Sequence, residues 1–301
     1  MPQKKVVSKS ISSAKKAVVA NSDNNIVEFA IARAHVMKNL LETLRYILDE
    51  ANLVFTKDNI KITTCNEKET IFIFVKLRTC DADHYSYEAN MEQFCVGVDV
   101  SKLHKVMKTI NANDLLSLRV VKDNPRALSI ETYSSCDRSF KTVVTLPPFD
   151  VTAPRIQLPR LTYKTKLAIN ASRLQKAVRD LENFGVVFVQ IQCIGNQLMI
   201  KSFQGGIVKQ CTTFEGMKIA DNATDDENFG VSESSTSELY SGVFHLKSLT
   251  YCTRSTALND TINIYLLNNT PLLLEYPVGS FGYLRCLLFE VLEDSSISYD
   301  Q

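Results

Sequence analysis

The sequence contains little glycine and none of the loops that glycine builds around phosphate groups. Only 10 of its 301 residues are glycine, which is about half the usual share of roughly 7%. Neither a GxGxxG nor a GxxxxGK[ST] pattern occurs, and these are the patterns that let backbone amides cradle phosphates. The sequence therefore gives no support to a nucleotide-binding loop.

Metal-binding cysteine pairs and long apolar runs are also missing. The eight cysteines never form a CxxC pair, the spacing typical of zinc sites and dithiol enzymes. We therefore expect a reducing, intracellular compartment. No run of eighteen apolar residues occurs, and the opening residues MPQKKVVSKSISSAKK lack an apolar segment. We therefore expect neither a membrane span nor a secretory signal peptide.

Residues that could form a catalytic or metal site are few and scattered. The segment CDADH, at positions 80–84, offers four possible ligands, but residues 85–87 continue it as a predicted strand and no distant cluster completes a site. His35, His104 and His245 lie at or near the starts of predicted helices, where a solvated or capping histidine is the ordinary case. We expect no enzymatic activity, no cofactor and no metal ion.

What the sequence does contain is a repeated unit. An amphipathic helix followed by strands rich in Val, Ile, Phe and Thr can be read four times, with helices at 36–49, 100–110, 171–182 and 244–255. Lys38, Lys105, Lys176 and Lys247 lie 67, 71 and 71 residues apart. This regularity predicts an α+β protein built by internal duplication.

Composition divides the chain into two predicted domains. Residues 1–25 form a basic arm with five lysines in the first sixteen positions, which either contacts DNA or a partner or is a solvated tail. Domain 1 then covers 26–146, a proline-rich connector 147–162, and domain 2 163–301. Residues 215–238 are acidic and serine-rich, which is typical of a long surface loop.

Basic and acidic residues nearly balance over the whole chain but are unevenly distributed along it. The chain has 34 Lys and Arg against 33 Asp and Glu, a net charge of +1. The four predicted helices carry ten basic and four acidic residues, so they hold +6 and the rest holds −5. The basic residues lie opposite the apolar stripe of each helix. If the fold places the four helices on one surface, that surface would attract a polyanionic backbone without recognising individual bases.

At this point the sequence resembles the proliferating cell nuclear antigen family of DNA sliding clamps. The segments that carry the resemblance are LLETLRYILDEA, VSKLHKVMK, LQKAVRDL and, most specifically, TPLLLEYPVGSFGYLRCLL. The N-terminal extension and the acidic loop are more similar to divergent clamps of large DNA viruses, such as African swine fever virus, than to cellular clamps. The resemblance implies a two-domain clamp fold that assembles into a closed homotrimeric ring, with helices lining the hole.

The resemblance also implies three sets of site residues. The DNA-binding set is Lys38, Arg45, Lys105, Lys108, Lys176, Arg179, Lys247 and Arg254. The partner-binding set is Cys65, Phe72, Ile156, Leu158, Pro159, Pro271, Leu287, Leu288 and Phe289. The subunit-interface set is Ser139, Phe140, Lys141, Thr142 and Val143 against Ile207, Val208, Lys209, Gln210 and Cys211.

Five positions in and around the partner-binding region depart from the family pattern. Cys65 replaces a large apolar residue, Leu288 and Phe289 replace an Ala-Pro pair, and Arg155 and Arg160 make the connector basic. These departures leave open which client motif the pocket accepts.

The implied function is a polymerase processivity factor. Its expected partners are double-stranded DNA, bound without sequence specificity, and DNA polymerase with other replication or repair proteins. We expect it to act at the site of viral DNA replication, in the host cytoplasm or nucleus, and not at a membrane. Two alternatives stay open: a monomeric processivity subunit with a basic face, which oligomeric state would distinguish, and a virion scaffold protein, which salt-dependent DNA binding would distinguish.

Overall fold

The computed structural model describes residues 24–66, 68–134, 140–151, 156, 160–206, 208–215, 218–219, 229–231 and 239–291. The chain divides into two compact units. The first unit contains the described parts of 1–63, 75–153 and 278–282, and the second contains those of 64–74, 154–277 and 283–301.

The elements up to residue 146 are helices α1 and α2 and strands β1 to β9. In chain order they are β1 (Asn25–Ile31), α1 (Ala34–Leu44), β2 (Glu50–Phe55), β3 (Asn59–Cys65), β4 (Ile71–Arg78), β5 (His84–Tyr87), β6 (Phe94–Asp99), α2 (Val100–Lys108), β7 (Leu115–Val121), β8 (Asn124–Tyr133) and β9 (Lys141–Leu146). In the first unit, one antiparallel sheet has the order β5-β1-β7-β8-β9, and β2 pairs with β3 and β6. Strand β9 is therefore an edge strand.

The elements after residue 160 repeat this plan in the second unit. They are β10 (Leu161–Tyr163), β11 (Thr165–Asn170), α3 (Ala171–Asn183), β12 (Val186–Ile194), β13 (Gln197–Gly205), β14 (Cys211–Phe214), β15 (Lys218–Ile219), β16 (Phe229–Val231), β17 (Tyr240–His245), α4 (Leu246–Thr253), β18 (Thr261–Leu266), β19 (Leu272–Val278) and β20 (Gly282–Leu288). One sheet has the order β14-β13-β12-β17, β15-β11-β18-β19-β20 are successive neighbours in a larger sheet, and β10 and β16 form a two-stranded sheet. Strand β14 is the edge of the first of these sheets.

Helix α2 begins where the sequence predicts and is held by its N-cap. Asp99 Oδ1 accepts a hydrogen bond from the backbone N of Lys102 at 2.9 Å, which satisfies one of the free amides of the first turn. Leu103 and Met107 are one helical turn apart and buried, so the apolar stripe faces the core. Asn170 caps α3 in the same way, accepting from the backbone N of Arg173 at 3.0 Å.

Two helix boundaries differ from the sequence prediction. The first helix was expected to reach residue 49, but α1 ends at Leu44 because Tyr46 and Ile47 donate to carbonyls three residues back, forming tight turns. Glu50 then pairs with Asp99 as β2 begins. At the fourth helix, residues 244–245 belong to β17, and a 3-10 turn follows Thr253.

Two short described segments of the acidic stretch 215–238 are strands. Its described parts form β15, which pairs antiparallel with β11, and β16, which pairs parallel with β10. The strand residues are Lys218–Ile219 and Phe229–Val231, and none of them is acidic or serine. The composition of the whole stretch therefore hid two short segments that are themselves compatible with strands.

A buried ionic network crosses the sheet of the first unit. Arg119 donates through Nη2 to Glu28 Oε1 at 2.7 Å, and its Nη1 lies 2.7 Å from Glu131 Oε2. Lys141 on the edge strand β9 also reaches Glu131 Oε2, at 3.0 Å. Glu28 is fully buried, and its pairing with Arg119 compensates for the lost hydration. The network joins β1, β7, β8 and β9.

Replacing Asp99 with Ala should lower the free energy of unfolding of the first unit by about 1 kcal/mol, because the N-cap is lost. Burial alone would raise the pKa of Asp99, but hydrogen bonds from Lys102 outweigh it and hold the pKa below its ordinary value of 3.8. A depressed pKa contributes stability above the unfolded value and loses it as pH falls through the folded value. The difference from wild type in urea unfolding should therefore shrink below about pH 4.

Ser101→Ala, in the first turn of the same helix, is the matched control and should leave the midpoint nearly unchanged. An Asp99→Ala protein as stable as wild type at pH 7 would contradict the capping role.

Candidate nucleic-acid and partner interfaces

In the first unit, the four predicted DNA-binding residues fall into two groups. Lys105 and Lys108 on α2 are exposed. Lys38 is half-buried, and its Nζ donates to the backbone carbonyls of Lys108 and Ile110 at 3.4 Å each. It therefore stabilises the C-terminal end of α2, where a cation is favourable.

Arg45, the other half-buried cation, lies against the buried ring of His104. Its Nη1 is 3.4 Å from His104 Nδ1, and its guanidinium lies 4.8 Å from the ring centroid of Tyr46. Burial, and then the charges of Arg45 and Lys108, lower the pKa of His104. The prediction of a solvated or capping histidine was wrong here, since His104 lies inside α2 and is 2% exposed.

In the second unit, all four predicted DNA-binding residues are exposed. Lys176 and Arg179 lie one turn apart on α3. Lys247 is on α4, and Arg254 follows its last residue. Both of these side chains lie near the ring of Tyr251, at 6.0 and 5.8 Å from its centroid. The spacing of Lys176 and Arg179 repeats that of Lys105 and Lys108 in the first unit.

Three of the predicted partner-binding residues lie in an aromatic cluster in the second unit. Its buried members are Phe74, Tyr163, Tyr265, Leu273 and Leu287, and Phe72, Ile156, Leu161 and Leu267 pack against them. Phe72, Ile156 and Leu287 were predicted from the sequence. The tyrosines were missed because each lies in a strand that reads only as core.

Of the remaining predicted partner-binding residues, Pro271 and Phe289 contact members of this cluster. Pro271 accepts a hydrogen bond from the hydroxyl of Tyr163 at 2.9 Å. Leu288 is buried, whereas Phe289 is 47% exposed and makes an edge contact with Phe72, with centroids 5.0 Å apart. Cys65 is buried at the end of β3, and burial, then the charge of Glu69, raises its pKa. Leu158 and Pro159 lie outside the described residues.

The predicted subunit-interface residues lie on or beside two sheet edges. Phe140 precedes β9 and is 65% exposed, and Lys141, Thr142 and Val143 are on that edge strand. At the second edge, Cys211 starts β14, with Lys209 and Gln210 just before it and Val208 48% exposed. Ser139 and Ile207 lie outside the described residues.

The aspartates of the CDADH segment make contacts within the first unit. Asp81 pairs with Arg78 at 2.8 Å, and Asp83 accepts from the backbone N of Ala32 at 2.6 Å. Across the described ranges, no group of three or more His, Cys, Asp and Glu is placed to hold a metal ion. In that same part of the chain, no helix is long and apolar enough to span a membrane.

Both units match known domains. Residues 26–150 match the N-terminal domain of proliferating cell nuclear antigen, and residues 157–291 match its C-terminal domain. The chain belongs to the proliferating cell nuclear antigen family. This membership confirms the predicted two-domain α+β clamp fold and explains why the two units repeat one plan.

Relatives within the clamp family are distant but span the chain. The probable DNA polymerase sliding clamp 1 of Paramecium bursaria Chlorella virus 1 is 22% identical over 272 residues, covering 90% of this chain and 99% of the relative. Proliferating cell nuclear antigen of Caenorhabditis elegans is 23% identical over 274 residues, covering 89% and 97%. The crystal structure of proliferating cellular nuclear antigen from Entamoeba histolytica superposes with a TM-score of 0.76 at 18% identity, covering 89% of this chain and 99% of that one.

Proposed function

We propose that the protein is a DNA polymerase sliding clamp, a homotrimeric ring that encircles duplex DNA and tethers DNA polymerase to it. The observation that carries the proposal is the recurrence of Lys105 and Lys108 as Lys176 and Arg179. These are exposed pairs at the same helical spacing on α2 and α3, in the two units of a clamp-family chain. Four cations in corresponding positions of a duplicated fold fit a surface that contacts phosphates around a duplex.

A clamp of this kind performs no chemical reaction, because retention comes from topology. A closed ring cannot leave a duplex sideways, so its DNA contacts need only be weak and mobile. Lysine and arginine side chains that contact phosphates directly or through water provide such weak contacts, and they do not fix the ring at one position along the DNA.

Assembly of the ring would use the two sheet edges. Strand β9, next to the exposed Phe140, would pair with β14, next to the exposed Val208, of the neighbouring subunit. An open sheet edge favours association with another chain, and head-to-tail pairing that closes on itself leaves no free edge.

The aromatic cluster is proposed as the docking site for DNA polymerase and other replication or repair proteins. An exposed phenylalanine beside an aromatic floor is suited to a short peptide that inserts apolar anchors. The packing of the connector residue Ile156 on the cluster supports the assignment.

Phe289→Ser is expected to weaken polymerase binding about tenfold, because a peptide would lose the ring that forms the outer wall of the site. Surface plasmon resonance with the cognate polymerase would measure the affinity, and light scattering would check that assembly is unchanged. Phe203→Ser removes a similarly exposed ring, 46% against 47%, outside this cluster and should bind normally. Equal affinities for both variants would remove Phe289 from the site.

The viral relative supports the further proposal that this clamp serves the replication of viral DNA. A polymerase that copies a large genome needs such a clamp, since long products require retention on the template. The finer kinship with the clamp of African swine fever virus and the compartment of replication stay proposals.

Polymerase extension on circular and linear primed DNA tests the proposed function. A topological clamp should extend product length on the circle and lose that effect on a linear template with open ends, because it slides off. Equal stimulation of both templates by a monodisperse monomer would instead identify a subunit that holds DNA with a basic face.

A further inference from the structure

The two sheet edges that are proposed to meet in the ring carry one charged residue between them. Strand β9 has the sequence KTVVTL and strand β14 the sequence CTTF, so within these two strands, which the structure describes in full, only Lys141 is charged. A lysine on a sheet edge opposes pairing with another chain, because its ammonium group would lose hydration at the new contact. An edge that is to pair therefore needs another place for this charge.

The ammonium group of Lys141 is paired within its own sheet. Its Nζ lies 3.0 Å from Oε2 of Glu131 on the neighbouring strand β8, and 5.5 Å from the ring centroid of Tyr133. The hydroxyl of Tyr133 donates to the same oxygen of Glu131 at 3.2 Å. The charge of Lys141 is therefore drawn back onto β8 and away from the open side of β9.

Charge balance explains why the buried network takes up this lysine. Arg119 pairs with Glu28 and with Glu131, at 2.7 Å each, so two carboxylates share one guanidinium and a net charge of −1 remains. Glu28 is 0% and Glu131 7% exposed, and a buried charge without a counter-charge is strongly destabilising. Lys141 supplies the missing positive charge and makes the network neutral.

Lys141 keeps its proton in this position. Burial alone would lower the pKa of Lys141, but the hydrogen bond and the charge of Glu131, and then Tyr133, outweigh burial and raise the pKa. Pairing with Glu131, and not loss of the proton, is thus what removes an unpaired cation from the edge.

We propose that Glu131 is a positioning residue for ring assembly, because it withdraws the ammonium group of Lys141 from the edge of β9 and so allows this edge to pair with a neighbouring subunit. The inference rests on the proposed ring and adds the side chains that make its edge competent to pair. The competing role for Lys141 is an ion pair with an acidic side chain of the neighbouring subunit, for which the exposed Glu215, just after β14, is the candidate. The two roles predict different results when the lysine is removed.

Glu131→Gln should raise the protein concentration at which half of the rings dissociate by at least tenfold, because Lys141 is left unpaired at the edge while Arg119 keeps Glu28. Analytical ultracentrifugation over a dilution series measures this concentration. Adding Lys141→Met to Glu131→Gln removes the released cation and leaves Arg119 and Glu28 as a neutral pair, so the double variant should return to within threefold of wild type. A purely structural defect at position 131 would not be rescued by removal of the lysine.

Two further variants control for charge and for folding. Glu88→Gln removes the same charge from an exposed acid just after β5, at the opposite edge of the same sheet, and should assemble as wild type does. Lys141→Met alone should also assemble within threefold of wild type. It should, however, unfold at a lower temperature when diluted to separate subunits, because the network then keeps its net charge of −1.

A Glu131→Gln protein that assembles as tightly as wild type, or a double variant as weak as Glu131→Gln, would overturn the inference. A tenfold loss of assembly in Lys141→Met alone would also overturn it, since the lysine would then pair between subunits. In each of these cases the wild-type ring still stimulates extension on circular DNA, and the proposed function stands. A wild-type protein that is a monomer at micromolar concentration would instead overturn both.

Discussion

Phe140→Asp is expected to convert the protein into a monomer and to abolish its effect on polymerase processivity. Phe140 is 65% exposed next to the edge strand β9, and the proposed ring covers it with the neighbouring subunit. An aspartate there would be buried without a partner, which costs about 3 kcal/mol or more, so subunit affinity should fall at least about a hundredfold. Light scattering at micromolar concentration measures the assembly, and primer extension on circular DNA measures the function.

The control is Leu239→Asp, which makes the same kind of change at a side chain that is 51% exposed. Leu239 precedes β17, on the opposite edge of its sheet from β14, and the variant should stay assembled and active. Strand β9 itself should persist in Phe140→Asp, because Lys141 holds it to Glu131 at 3.0 Å. A Phe140→Asp protein that remains trimeric would show that the ring does not close through this edge.

The helices were predictable from the sequence because their signals are local. Leu103 and Met107 are apolar at helical spacing, and Asp99 precedes them as an N-cap, so both start and face of α2 follow from neighbouring residues. The end of α1 was not predictable in this way. Ile47 and Leu48 continue the apolar stripe and are buried, but the chain must turn there so that Glu50 can pair with Asp99.

The buried network was invisible in the sequence because its members are distant and ordinary. Glu28, Arg119 and Glu131 each stand in a strand of an antiparallel sheet, where a charged residue is expected to face solvent. Only the strand order β1-β7-β8 brings the three together. Long-range pairing, and not the residues themselves, decides that these charges are buried.

The partner site was partly predictable, and for a comparable reason. The resemblance supplied Phe72, Ile156 and Leu287, which the fold brings into one cluster. The resemblance did not supply Tyr163 and Tyr265 of the same cluster, because each lies in a strand that reads only as core.

Replacing Lys105, Lys108 and Lys176 together with Ala should weaken DNA binding on the order of a hundredfold at 0.1 M salt. All three lysines are exposed on helices, and alanine preserves the helices. The slope of log affinity against log salt should fall by about 0.9 for each phosphate that the variant no longer neutralises. Fluorescence anisotropy with a labelled duplex across a salt series measures both the affinity and the slope.

The matched control removes three exposed lysines from turns between strands: Lys57, Lys122 and Lys164. Because these turns lie outside the helices, the control should bind DNA almost as wild type does, although its net charge falls equally. A second comparison separates DNA binding from folding. Lys38→Ala should affect DNA less than the triple variant but lower stability, since Lys38 donates to carbonyls at the end of α2. If both triple variants lose the same affinity, net charge alone would explain binding, and the helices would not form the DNA-facing surface.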